Sequence, residues 1–100
     1  MRQLNLNYEG FEQYLVERED RNMMNGVQYI FKFENHYGAS VIKHDGSYGR
    51  DEDLWELAVI KYETDRDKWH LNYGTEITDD VIGWLTDEGV RDLLKRIKEL

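Results

Sequence analysis

Ten carboxylates fall between residues 51 and 80: Asp51, Glu52, Asp53, Glu56, Glu63, Asp65, Asp67, Glu76, Asp79 and Asp80. Lys61, Arg66 and Lys68 are the only bases there, so this stretch carries −7 of a chain total of −8. Acids in such number suggest three kinds of chemistry. Two of them facing a sugar could hydrolyse a glycoside. Several on one loop could hold calcium. A dense field of them could attract a basic partner while repelling nucleic acid and membrane. The first needs one pair set apart from the rest, and no pair is. The second would draw on Asp45 and Asp51 to Asp53, but the spacing and terminal Glu of a calcium-binding loop are missing. The third needs only density, which the sequence has. Its plain alternative is a solvated surface that aids solubility.

Other reactive residue types point nowhere specific. His36, His44 and His70 form no HExxH or HxxxH pattern, so no metal site is expected. The Gly46-Ser47-Tyr48-Gly49 loop leads into a strand, whereas a phosphate-cradling loop leads into a helix. Tyr48 on that loop would suit a partner-contacting anchor. Ser40, Ser47 and Thr75 lack a GxSxG elbow. The expectation is a protein that is not an enzyme, with no catalytic residue and no cofactor. Trp55, Trp69 and Trp84, with Tyr29, Tyr62 and Tyr73, read mostly as core. Aromatic readers of nucleic acid sit in basic grooves, and these surroundings are acidic, so direct nucleic-acid binding is not expected.

The elements that must position these residues follow from periodicity. Tyr8, Phe11 and Leu15, with Tyr14 beside them, predict an amphipathic helix from Tyr8 to about Arg21. Asn25-Gly26 breaks it. Val27, Tyr29, Phe31 and Phe33 alternate with polar residues and Ile30 as a first strand. Asn35 to Gly38 reads as a turn, and Ala39 to His44 as the returning strand. Leu54 to Glu63 is a third strand with apolar residues on both faces, which predicts a central strand covered twice or a surface for a partner. Trp69, Leu71 and Tyr73 mark a fourth. Thr78, followed by Asp79 and Asp80, caps a short helix carrying Val81, Ile82, Trp84 and Leu85. Thr86 caps a second, with a stripe of Val90, Leu93, Leu94, Ile97 and Leu100. The predicted fold is α+β: a two-layer domain with a four-stranded antiparallel meander sheet, an N-terminal helix and two C-terminal helices, in the order α-β-β-β-β-α-α. In simple pairing order Ile30, Ile42, Trp55, Leu57 and Val59 would share the second sheet face.

One hundred residues predict a single domain, 1–100. A hydrophobic content of 40%, with 13% aromatic, is that of a globular chain. There is no cysteine, which excludes disulfides and thiolate metal sites. No signal peptide or membrane span is read in the sequence.

Four segments carry a resemblance. Asn35 to Ile42 contains YGASVI, and Gly46 to Gly49 is a glycine-flanked loop. Leu54 to Val59 contains ELAV, and Thr78 to Leu85 reads TDDVIGWL. In wording and order these resemble a family of small, largely uncharacterised bacteriophage proteins, over roughly residues 27 to 100. The resemblance implies a phage origin and a host-cell cytoplasmic setting, and it transfers no catalytic residue. Small acidic phage proteins often act by binding host machinery, anti-CRISPR proteins being the sharpest example. The leading expectation is therefore a phage-encoded binding protein that inhibits a host defence or nucleic-acid-handling complex by stoichiometric occlusion. It would act as a nucleic-acid mimic on a basic partner, through Asp51, Glu52, Asp53, Asp65, Asp67 and Tyr48. One alternative is a homo-oligomeric structural or accessory phage protein that buries Trp55, Leu57 and Val59 in a self-contact. Another is a small nucleotide-binding or hydrolytic protein.

Overall fold

A computed structural model of the chain describes residues 5–21, 26–43, 54–62, 69–71 and 82–100, with backbone alone for 20, 21 and 69–71. A 3-10 turn at Glu12–Tyr14 leads into β1 (Leu15–Arg21). Next come β2 (Gly26–Lys32), β3 (Tyr37–Lys43), β4 (Trp55–Tyr62), β5 (Trp69–Leu71) and β6 (Ile82–Leu85), then the helix α1 (Asp87–Lys98). The sheet runs β1-β2-β3-β4-β5 with every pairing antiparallel, and β6 also pairs with β4. β3 takes one edge of β4, so β5 and β6 share the other. β5 ends with Leu71 opposite Ile60, and β6 begins with Ile82 opposite Leu57.

This corrects the expected α-β-β-β-β-α-α order at both ends. No helix covers Tyr8 to Arg21. A 3-10 turn also brings residues three apart onto one side, so Tyr8, Phe11 and Tyr14 give the same spacing without an α-helix. The charged run after it is an edge strand, where charge is common because it discourages pairing with other chains. The shorter of the two expected C-terminal helices is β6 instead over Ile82–Leu85, and its start at Thr78 to Val81 lies outside the described residues. Gly83 is a poor helix former, and Trp84 sits at φ 60°, outside the helical region. The helix opened by Thr86 forms as its sequence predicts. The Thr86 hydroxyl accepts from Gly89 N at 3.1 Å, Asp87 and Glu88 occupy the first turn, and Lys95, Arg96 and Lys98 the last.

The register decides which residues make the core. Tyr29 faces Val41, Phe31 faces Ala39, Val41 faces Leu57 and Ala39 faces Val59. With Val27 and Trp55 they line the sheet face on which Val90, Leu93, Leu94 and Ile97 of α1 are buried. Each such aliphatic side chain contributes about 1.5–3 kcal/mol on burial. The N-terminal segment covers the β2 end of this face with rings. Tyr8 lies 5.9 Å from Tyr29 and 5.8 Å from Phe31, and Tyr14 lies 5.0 Å from Phe33, centroid to centroid. Trp55, Leu57 and Val59 therefore do not share a face with Ile30, as simple pairing order had predicted. They are 1%, 0% and 0% exposed, which leaves nothing for a self-contact built on them. Ile30 instead clusters with Ile60 and Tyr62 on the opposite face, also buried. β4 is thus a central strand with both faces covered, one of the two arrangements that its apolar pattern allows.

The β2–β3 turn holds a residue against its preference. Phe33 N donates to Tyr37 O at 2.8 Å and His36 N to Phe33 O at 3.2 Å, which places exposed His36 at φ 69°. An L-residue in this region loses roughly 1–2 kcal/mol relative to ordinary backbone. Glycine escapes that but adds freedom to the unfolded chain. His36→Gly is expected to stabilise the protein by about 0.5–1 kcal/mol in urea denaturation, with the denaturant slope unchanged.

Candidate interaction surface

Tyr48, Asp51, Glu52, Asp53, Asp65 and Asp67 lie outside the described residues. The two ends of β4, which they flank in sequence, are described. Asp53 precedes Trp55, the first residue of β4, by two positions, and Asp65 follows Tyr62, the last, by three. Seven strand steps of about 3.3 Å put those ends of β4 about 23 Å apart. At one end of β4 Trp55 faces Leu85 of β6, and at the other Tyr62 faces Trp69 of β5.

The β6 end carries a feature that the sequence did not announce. Trp84 is 59% exposed, although Ile82 and Leu85 on the same short strand pack against the core. Its φ of 60° is an outlier for a bulky side chain and stores about 1–3 kcal/mol. The flanking structure holds it there: Leu85 is paired with Trp55, and Thr86 must open α1. The indole is followed at once by the acidic first turn of the helix. Glu88 and Asp92, four apart, occupy one exposed stripe of α1. An exposed ring and exposed carboxylates on neighbouring elements both attract cations. Periodicity placed Trp84 in a buried helical stripe. Nothing in the local spelling gives its left-handed backbone, and Gly83 beside it is the only hint.

Five of the described cations lie against rings. Lys43 Nζ lies 4.2 Å from the Trp55 centroid, Lys32 4.8 Å from Tyr62 and Lys61 4.8 Å from Tyr37. The Arg18 guanidinium lies 5.4 Å from Tyr29, and its Nε donates to the Tyr29 hydroxyl at 3.1 Å. Lys98 Nζ lies 5.5 Å from Tyr14. By contrast Glu9, Glu12, Glu17, Glu19, Glu34, Glu88 and Asp92 are exposed to water. A cation against a ring keeps its charge but presents less of it outward. Among the described residues, Lys32, Lys43 and Lys61 therefore present less charge outward than a residue count implies, whereas Arg18, Lys95, Arg96 and Lys98 are exposed.

Three histidines were weighed as metal ligands. His36 stands in the β2–β3 turn, His70 lies in β5 and His44 falls outside the described residues. Among the described residues no three His, Cys, Asp or Glu side chains are grouped to hold a metal ion. Among them, too, no helix is long and apolar enough to cross a membrane.

No family model matches the chain, and no curated protein or solved structure does either.

Proposed function

We propose that this chain is a phage-encoded acidic binding protein that occludes a basic, nucleic-acid-handling complex of host defence, with an anti-CRISPR protein as its most specific form. The observation that carries the reading is Trp84, exposed and backbone-strained, directly before the acidic start of α1. Exposed tryptophans of this kind anchor interfaces, and the exposed carboxylates Glu88 and Asp92 of the helix that follows favour a positively charged partner. Asp51, Glu52 and Asp53, which lie outside the described residues, precede β4 in sequence and are the further acids on which the reading calls. The excess of −7 over residues 51 to 80 supports steering by long-range attraction. The phage setting, and with it the host cytoplasm, rests on the likeness of the YGASVI, ELAV and TDDVIGWL segments to phage sequences.

The test is capture and protection together. Immobilised protein should retain a basic, nucleic-acid-binding complex from bacterial lysate at low salt and release it as salt shortens the screening length. Expression in bacteria with an active RNA-guided defence should restore phage plaques. Trp84→Ala combined with neutralisation of Asp51, Glu52 and Asp53 should remove both effects. Retention and plaque recovery that survive those four changes, or retention of nothing basic at low salt, would overturn the reading.

A further inference from the structure

A cleft of about 320 Å³ opens between the N-terminal segment, the β2–β3 turn and the end of α1, lined by Tyr14, Glu34, Asn35 and Lys98. Its volume lies at the lower limit of small-ligand sites, suited to one side chain rather than a drug-sized molecule. Apart from Lys98, which brings a positive charge of its own, the lining offers groups that attract a cation. Tyr14 offers a ring, fixed in place by edge-on packing against Phe33 at 5.0 Å and by Phe11 at 6.4 Å. Glu34 offers an exposed carboxylate. The floor is the C-terminal end of α1, the negative pole of the helix. There the Asn35 amide donates to the carbonyls of Ile97 (2.9 Å), Lys98 (3.2 Å) and Leu100 (3.2 Å), while its own oxygen accepts from Tyr37 N at 3.0 Å. Asn35 thereby locks the turn to the helix and gives the cleft rigid walls. The cleft already has an internal guest, because the Lys98 ammonium sits 5.5 Å from the centre of the Tyr14 ring. Lys98 is exposed on the last turn, and its ammonium is carried on a flexible stem. A tethered ammonium on a ring beside a carboxylate marks the position that a free one would take.

We propose that this cleft binds a primary alkylammonium group, the end of a lysine side chain from a partner, by displacing Lys98. The choice of lysine over a free amine rests on the basic partner proposed above, whereas the ammonium chemistry stands on the cleft alone. The same ring and carboxylate would bind the guest, and Lys98 would compete with it both by occupancy and by like charge.

Nuclear magnetic resonance titration with Nα-acetyl-lysine N-methylamide tests this without any partner. Shifts should centre on Tyr14 and Glu34 and saturate in the millimolar range. Lys98→Met, which keeps most of the stem, should tighten binding at least about three-fold by removing the internal guest. Glu34→Gln should weaken it by a similar factor, and Tyr14→Phe should leave it nearly unchanged because the ring remains. Added salt should weaken binding throughout. A parallel titration with putrescine separates the sources: weaker or equal binding supports a lysine side chain, and markedly tighter binding overturns the lysine in favour of a free amine. Absence of localised shifts, or a Lys98→Met variant that binds no better, overturns the cleft. Partner capture dependent on Trp84 would still stand in that case, so the two readings fail separately.

Discussion

Gly38→Ala is expected to destabilise the protein by about 3 kcal/mol or more. On a domain whose whole stability is about 5–15 kcal/mol, that is enough to show as a large fall in the urea midpoint or as failure to accumulate folded protein. Gly38 is the second residue of β3, buried, and paired with Lys32 across the β2–β3 hairpin and with Ile60 of β4. A Cβ added there would overlap the Phe31 carbonyl oxygen, and it would come within 3.1 Å of the Phe31 carbonyl carbon and 3.2 Å of Tyr62 Cε2. The obstacle is the backbone of a neighbouring central strand. It cannot rotate away as a side-chain tip can, and moving it would disturb pairing on both sides. Gly89 gives the contrast. An added Cβ there meets Leu85 Cδ2 at 3.3 Å and Thr86 Oγ1 at 3.5 Å, both movable atoms, and alanine is the better helix former by about 1 kcal/mol. Gly89→Ala should leave stability unchanged or slightly raised, since its N–H still reaches the Thr86 hydroxyl. Equal losses from the two substitutions would show that the close approach at Gly38 is not what sets its cost.

Gly38 also shows how far the sequence can be read. Alternation in Val27, Tyr29 and Phe31, and two-sided apolar character in Trp55 to Tyr62, are properties of single strands, so β2 and β4 were visible without neighbours. Thr86 and the stripe from Val90 to Ile97 are equally local, so α1 was visible too. Register was not. That Val41 faces Leu57 depends on how residues 44–53 bridge two strands, and this pairing carries Trp55, Leu57 and Val59 to the helix side rather than to the side of Ile30. Tyr8, Phe11 and Tyr14 failed for a different reason, because their spacing is common to an α-helix and a 3-10 turn. What settles the matter is the ring packing on Tyr29, Phe31 and Phe33, which is tertiary. Lys43 is the same lesson in charge. Its letter reads as surface, yet it is buried with its ammonium over the Trp55 ring. Of the surface proposed for binding, the sequence supplied the acidic bias and none of the anchor. Trp84 is an apolar letter in an apolar run, and its exposure comes from a backbone angle.

The second large effect is expected at Asp87. Trp55 is 1% exposed, and its Nε1 donates to Asp87 Oδ1 at 2.7 Å, while Asp87 Oδ2 accepts from Asn7 N at 3.3 Å. One carboxylate therefore joins the central strand, the first turn of α1 and the N-terminal segment. The same segment is tied again where Arg91 donates to Asn7 O at 2.9 Å and Leu6 N donates to the Tyr29 hydroxyl at 3.2 Å. Asp87→Ala leaves an indole N–H without its acceptor, at a cost of about 1–3 kcal/mol. It also removes a negative charge from the positive end of the helix, worth about 0.3–1 kcal/mol. A total loss of about 1–4 kcal/mol is expected by urea denaturation. Asp87→Asn keeps an acceptor oxygen and should lose about 1 kcal/mol. The decisive comparison is made in the background of Trp55→Phe, which has no indole N–H to strand. There Asp87→Ala should lose at least about 1 kcal/mol less than in the natural chain, the signature of direct coupling between the two side chains. Equal losses in both backgrounds would assign the effect to the helix terminus alone and remove the hydrogen bond from the account of how α1 is fastened to the sheet.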